Sequence, residues 1–253
     1  MAGPLRGPLR SGPCRLTVPP VDPPPLSRAE DMTRQDIIAA LWHGRDPFAD
    51  PPDTLRPVDL QGWRSVHPYL EEAVIEHRPS VVVEIGTWKG ASALYLARTM
   101  AEHGIDGTVI AVDTWLGAVD HWMDESLFTE LATEHGFPSL YRTFLANVLH
   151  ERLAERVVPL PLDSVNAAEL MRLRGVTADV IHLDAGHEET SVAADLRAWW
   201  PVLRPGGLFI ADDYDRLGGS FPGVTRAVDT FCAEFGVKGP WSFQGKAKFI
   251  KLG

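Results

Sequence analysis

The sequence predicts a doubly wound α/β fold on a mostly parallel seven-stranded sheet with an antiparallel last strand. Three observations lead there. Short apolar runs such as "SVVVEI" and "ADVIHL" alternate with longer stretches of helical spacing, which implies right-handed crossovers onto a parallel sheet. The runs are apolar at consecutive positions, as expected for strands covered on both faces. The chain then closes with "WSFQGKAKFIKL", two strands around Gly245 whose short connection makes them antiparallel.

The elements follow in order. Residues 1–30 are dense in proline and glycine, which disfavours a packed helix or strand and reads as a flexible or draped arm. The arm carries positive charge but no continuous apolar stretch, so it does not read as a signal peptide. Residues 31–79 form a helical N-terminal segment. Within it, 32–44 has helical spacing (Ile37, Ile38, Leu41, Trp42), a linker of prolines and acids follows, and 62–77 reads as a helix interrupted near Pro68. The α/β domain occupies 80–253. "SVVVEIG" is its first strand and "ASALYLARTMAEHG" its first helix, stopped by Gly104. "GTVIAVD" is the second strand. Residues 123–153 are mostly helical with a break near Gly136–Pro138. "RVVPLP" is the third strand, "SVNAAELMRLRG" a short helix and "ADVIHLD" the fourth strand. "EETSVAADLRAWWPVLRPGG" reads as a helix with a Pro-Gly-Gly stop, with Trp199 and Trp200 assigned to the core. "LFIADDY" is the fifth strand and "GVTRAVDTFCAEFG" the last helix.

Composition narrows the function. The chain has 253 residues, 45% hydrophobic and 23% charged, with a formal net charge of −10, an ordinary composition with an acidic surface. That argues against a nucleic-acid or anionic-membrane partner, which needs a basic patch. No apolar run approaches the ~18–20 residues of a membrane span. The two cysteines, Cys14 and Cys232, make neither a metal motif nor a disulfide framework, so a cytoplasmic setting is expected.

In a doubly wound sheet the ligands lie beyond the carboxyl ends of the strands. The residues of interest there are Glu84–Gly90, Asp113, Asp163, Asp184 and Asp212–Asp213. "EIGTWKG" is not a dinucleotide fingerprint, because it lacks one glycine of G-x-G-x-x-G and puts an acid in front. Gly86 and Gly90 still let backbone approach a ligand, with Thr87 in the same loop. Glu84 favours a cationic or hydroxyl-bearing ligand over a phosphate. S-adenosylmethionine fits, since it carries an ammonium and a sulfonium and no phosphate. Asp113 ends the second strand, where an acid accepts both hydrogen bonds of a ribose diol. Asp163, beside Ser164, is placed to receive an adenine amino group. Ser92 caps the loop helix or touches the cofactor carboxylate, Trp115 packs on the cofactor, and Lys89 is read as a solvated loop residue.

Asp184, Asp212 and Asp213 converge on adjacent strand ends, roughly 4.8 Å apart. A hard divalent cation such as Mg²⁺ would relieve the repulsion among them. Asp212 and Asp213 can share such a ligand only if the strand has ended before them, because consecutive strand side chains face opposite ways. His187, three residues after Asp184, is the candidate general base, with Asp184 beside it. Asp120, His121 and Trp122 lie on a loop above the strand ends where an acceptor could bind, and Tyr214 follows the acid pair.

Residues 80–215 resemble the class I S-adenosylmethionine-dependent methyltransferases. "EIGTWKGAS" is similar to the family's first motif and "IAVDTW" to its second-strand motif. "DVIHLDAGHEETSVAADLRAWWPVLRPGGLFIADDY" resembles the metal-dependent O-methyltransferases that modify sugars in macrolide and other antibiotic pathways, and their cephalosporin-hydroxylase-like relatives. That group carries Asp-Gly-x-His after the fourth strand; here it is Asp184-Ala-Gly-His187. The resemblance implies a Rossmann-like methyltransferase fold over 80–253, the cofactor S-adenosylmethionine, and Asp184, Asp212 and Asp213 as ligands of Mg²⁺ or another divalent cation. It also implies a small hydroxylated acceptor, a sugar first and a phenol or catechol second, and assembly as a homo-oligomer.

Overall fold

A computed structural model describes residues 32–253; the arm assigned to residues 1–30 lies outside the described residues. Strands β1 (Val81–Ile85), β2 (Thr108–Val112), β3 (Val157–Leu160), β4 (Ala178–Leu183), β5 (Leu203–Ala211), β6 (Lys238–Phe243) and β7 (Lys246–Ile250) form one sheet in the order β3-β2-β1-β4-β5-β7-β6. β1 to β5 run parallel, and β7 is antiparallel to both β5 and β6. The winding reverses between β1 and β4, which opens a crevice at their carboxyl ends.

The helices are α1 (Arg34–Trp42), α2 (Pro68–His77), α3 (Ala91–Glu102), α4 (Val119–Met123), α5 (Glu125–Glu130), α6 (Leu140–His150), α7 (Ser164–Leu173), α8 (Glu189–Trp199) and α9 (Pro222–Phe235). Alternate strand residues face opposite layers. Val81, Val83 and Ile85 join the core under α1, α7, α8 and α9. Val82, Val109 and Val180 join the core under α2, α3 and α6. By the same parity Glu84, between Val83 and Ile85, is directed into the second layer, where it is fully buried. None of the described helices is long and apolar enough to cross a membrane.

Two expected elements differ. The helix at 62–77 starts only at Pro68, because proline lacks an N–H and suits the first helical turn, while the residue before it is pushed to extended backbone. His67 is that extended residue and caps the helix through Nδ1, which accepts from Tyr69 N at 3.0 Å. The Pro-Gly-Gly stretch does not stop a helix. α8 ends at Trp199, two residues before Pro201, and Arg204–Gly207 already belong to β5. There Gly206 N donates to Lys251 O at 2.8 Å, and the pairing with β4 is irregular between Ala178 and Val180.

Candidate active site

The glycine loop after β1 is fastened to its neighbours by backbone. Gly86 N donates to Val112 O at 2.9 Å and Asp184 N donates to Ile85 O at 2.8 Å, so the β1, β2 and β4 ends are joined through backbone. Asp113 holds the loop from the side: Oδ2 accepts from Trp88 N at 2.8 Å and Oδ1 from Trp115 N at 2.7 Å. Burial raises its pKa, and these amides offset part of that. Each oxygen keeps a second lone pair.

Behind the loop lies a buried polar chain. Glu84 and His182 are paired in register across β1 and β4, and His182 Nδ1 meets Glu84 Oε1 at 3.0 Å. Lys246 Nζ donates to His182 Nε2 at 3.2 Å and also to Asp212 Oδ2. With Nε2 accepting, Nδ1 carries the ring proton and donates to Glu84. All of these side chains are almost entirely buried. Burial raises Glu84 to about 8. Burial, followed by the charge of Lys246, lowers His182 to about 3. Glu84 Oε2 is buried without a hydrogen-bond partner.

The second cluster faces outward from β4 and β5. His187 Nε2 lies 3.1 Å from Asp213 Oδ2 and its Nδ1 lies 3.3 Å from Asp120 Oδ2, while the ring stacks on Phe221 at 3.8 Å. Burial of the ring works against its charge, but Asp213 and Asp120 outweigh it and raise its pKa. Asp184 is raised well above the usual carboxylate range, by burial first and then by the charges of Asp212 and Asp213. Two sets of donors converge within 4.8 Å: His182, Asp184 and Asp212 inside, and Asp184, His187 and Asp213 outside. A cavity of about 10 Å³ is lined by Asp184, His187, Asp212 and Asp213 together with apolar residues such as Val192 and Val224, room for roughly one water and not for an organic ligand.

A family model described as "Methyltransferase domain" matches residues 83–214, just over half of the chain and the segment that carries every titratable residue of the two clusters except Lys246. The chain belongs to this methyltransferase family. A rhamnosyl O-methyltransferase of Mycobacterium tuberculosis is 25% identical over 185 residues, covering 68% of this chain and 64% of that protein. A Sinorhizobium fredii protein of uncharacterized function is 25% identical over 190 residues, covering 74% of this chain and 18% of that protein. The chain therefore spans less than two thirds of the length of either relative. Among solved structures, one described as a putative O-methyltransferase from Klebsiella pneumoniae superimposes with a TM-score of 0.52 at 17% identity, over 76% of this chain and 84% of that one. TomG, an O-methyltransferase from Streptomyces achromogenes, superimposes with a TM-score of 0.51 at 16% identity, over 73% and 78%. These likenesses establish the Rossmann-like methyltransferase fold.

Several side chains of this methyltransferase sit elsewhere than the sequence suggests. Trp115 is 2% exposed; it packs on Tyr141 and Phe144, each at 4.8 Å, and donates Nε1 to Trp88 O, leaving no ring face for a cofactor. Lys89 is not solvated. It is 1% exposed, and its ammonium reaches Asp59 and Glu130 at 2.5 Å and Gln61 at 2.9 Å, pinning α5 and the linker before α2 onto the glycine loop. Tyr214 turns inward and donates to Asp229 at 2.7 Å, so it does not face an acceptor. The Ser164 hydroxyl accepts from Trp199 Nε1 at 2.9 Å, which ties it to α8. Asp163 caps α7 by accepting from Asn166 N at 3.0 Å and remains exposed. Ser92, buried in the first turn of α3, lies beside Glu84 and tempers its raised pKa. Gly90 ends the loop where α3 begins, and Thr87 is buried within it. Trp199 is fully buried, and Trp200 packs edge-on against Phe231 at 5.1 Å. Above the outer cluster, His121 stacks on Trp88 at 4.3 Å and Trp63 lies 6.4 Å from Trp88. Trp122 is half exposed and donates to Leu116 O.

The buried pair makes a stability prediction. Between pH 4.5 and about 8 the folded protein keeps the Glu84 proton that the unfolded chain has lost, so Glu84 lowers stability as pH rises. Between about 3 and 6.5 the unfolded chain protonates His182 and the folded protein does not, so His182 raises stability with pH. The two slopes oppose each other from 4.5 to 6.5, and the Glu84 slope stands alone above that. Thermal unfolding of Glu84→Gln should gain on the wild type steadily as pH rises from 4.5 to 8. An unchanged difference over that range would mean that Glu84 is ionised in the fold.

Proposed function

We propose that this methyltransferase is an S-adenosylmethionine-dependent O-methyltransferase. Its acceptor would be a hydroxyl on a small molecule, a sugar of a secondary metabolite first, with a divalent cation at the strand ends. The observation that carries the reading is the convergence of Asp184, His187, Asp212 and Asp213 at the carboxyl ends of β4 and β5, in a sheet whose β1 end carries a buried carboxylate oxygen with no partner. Glu84, whose Oε2 has no hydrogen-bond partner, would give up its proton on receiving the cofactor's ammonium group, and Asp113 keeps lone pairs for a ribose diol. The relatives named as rhamnosyl O-methyltransferases support a sugar hydroxyl as acceptor.

The residues fit a hard divalent cation. Asp184, Asp212 and Asp213 offer carboxylate oxygens at the carboxyl ends of β4 and β5, and Asp184 is shared by both convergent sets. When bound there, the cation would acidify an acceptor hydroxyl and hold it in place. Chemistry demands such help. An aliphatic hydroxyl has a pKa near ~15.7 against ~6.5 for histidine, a gap of roughly 12 kcal/mol for full proton transfer. A phenol near ~10 leaves only about 5 kcal/mol. His187 would take the hydroxyl proton, with Asp120 and Asp213 orienting its ring. The sulfonium already activates the methyl group, so most of the remaining work is alignment.

A phenol or catechol acceptor is the second reading, favoured by the ring faces of Trp63, Trp88 and His121 at the mouth. A cephalosporin-hydroxylase-like protein of other activity would not release stoichiometric S-adenosylhomocysteine. Calorimetric titration of S-adenosylhomocysteine, with Mg²⁺ and again with chelator, tests the proposal. Micromolar binding in both conditions, with methyl transfer to hydroxylated sugars only when metal is present, is the expected result. No binding in either condition would rule the reading out.

A further inference from the structure

A continuous rim of side chains runs around the mouth of the site. Trp63 and Arg64 are neighbours on the linker before α2. The Trp63 ring lies 6.4 Å from Trp88, which stacks on His121 at 4.3 Å. Asp120, next to His121, meets His187 at 3.3 Å, and His187 meets Asp213 at 3.1 Å. Asp213 lies 3.4 Å from Arg64, which closes the rim. Half of it is aromatic and borders the glycine loop. The other half is charged and carries the candidate base. Trp63 is 58% exposed, so a large apolar face is left in water beside the site. One buried ammonium joins the three segments of the aromatic half. Lys89 follows Trp88 in the glycine loop. Its Nζ donates to Asp59 and Gln61, just before Trp63, and to Glu130 of α5, which follows His121 and α4. Asn147 of α6 ties the same linker again: its Nδ2 donates to Asp59 O at 2.7 Å and to Lys89 O at 2.8 Å. The linker then rests on the start of α3, since a Cβ at Gly62 would lie 2.6 Å from Ala91 Cβ. A buried ammonium is strongly unfavourable without its anions, so the linker and α5 are held to the loop together.

We infer that Lys89 is a positioning residue that assembles the acceptor wall, and that Trp63, held through Asp59 and Gln61, is the face on which the acceptor's ring stacks. This rests on the proposed transfer to a ring-bearing hydroxyl acceptor, and it names the wall that ring lies on. A ring on Trp63 covers apolar surface that is otherwise in water, and tryptophan faces take sugar and phenol rings alike. A ring lying there has the candidate base His187 across the rim from it. Trp122, the exposed tryptophan expected to meet an acceptor, instead packs edge-on against Phe128 at 5.2 Å and donates its indole N–H to Leu116 O. The chemistry this wall serves is a ring with vicinal hydroxyls, which rhamnose and catechol both carry.

The test is probe binding to the S-adenosylhomocysteine complex of the full chain in Mg²⁺, read by saturation-transfer NMR with rhamnose and with catechol. Cofactor binding is titrated separately by calorimetry. Wild type should bind at least one probe, and the tighter of the two separates a sugar from a phenol. Trp63→Ala should weaken that probe about tenfold and Trp63→Phe less than about threefold, with S-adenosylhomocysteine affinity unchanged in both. Lys89→Met should weaken the probe as much as Trp63→Ala, and the double variant no further, because the lysine acts through the tryptophan. Where Lys89→Met does not fold, Gln61→Ala removes one tie of the linker without stranding a charge and should show the same lack of additivity. Additive losses would overturn the positioning role of Lys89. A probe that binds Trp63→Ala as well as wild type, or a wild type that binds S-adenosylhomocysteine but neither probe, overturns the inference and leaves the cofactor reading standing. A wild type that binds no S-adenosylhomocysteine overturns that reading and the inference with it.

Discussion

Asp184→Asn should lose methyl transfer by on the order of 100-fold or more in kcat/KM, and the same variant should unfold at a higher temperature than wild type. The opposite signs come from one cause. Asp184 stands beside Asp212 and Asp213, and burial and their charges raise its pKa well above normal. A carboxylate in such company destabilises the fold, so its retention needs a reason outside the fold. Asparagine keeps the size and the backbone contacts of the site, including Asp184 N to Ile85 O, and removes the charge. The melting temperature should rise by about 2–4 °C for each kcal/mol of repulsion relieved in a domain of this size. Steady-state kinetics and a thermal melt on the same preparation check both halves. A lower melting temperature would make Asp184 a structural residue, and unchanged kinetics would move the reaction elsewhere.

The sheet was legible because its signals are local. Strands β1 to β4 are short apolar runs that stop at glycine, proline or acid, and the crossover rules then fix a parallel arrangement. The strand-end acids Glu84, Asp113, Asp184, Asp212 and Asp213 were legible for the same reason, since a doubly wound fold puts its ligands there. The buried chain was not found, although its signal was present. His182 sits in the middle of an apolar strand, and Lys246 opens one. With Glu84 and Asp212 they fall on one side of the sheet by the period-two rule. What the sequence withholds is that β7 lies next to β5, which brings Lys246 to Asp212 across an antiparallel pair. The errors on Trp115, Tyr214 and Lys89 share one origin. Each adjoins a strand-end acid or glycine in sequence, but a loop residue's neighbours in sequence say little about which way its side chain turns. Lys89 is the plainest case, because its partners Asp59 and Glu130 come from segments about 30 and 40 residues away.

Gly86→Ala should abolish S-adenosylhomocysteine binding and destabilise the protein by about 3 kcal/mol or more. Two costs combine. Gly86 has φ +83, a region that costs an alanine roughly 1–2 kcal/mol. A Cβ there would also lie 2.6 Å from the Asp184 carbonyl carbon and 2.7 Å from Ala185 Cα, and nearer still to the Asp184 carbonyl oxygen. These are backbone atoms, so no side-chain rotation relieves the contact. The β1 and β4 ends would have to part, and they carry Glu84 and Asp184 respectively. Gly104→Ala separates the two costs. Gly104 also has positive φ, +59, but its Cβ would meet nothing within 4 Å, so only about 1 kcal/mol should be lost and ligand binding should be normal. Urea unfolding and calorimetry on the pair measure the contrast. Wild-type binding by Gly86→Ala would show that the two strand ends separate freely, and the glycine loop and the acid cluster would then act as independent sites rather than as one.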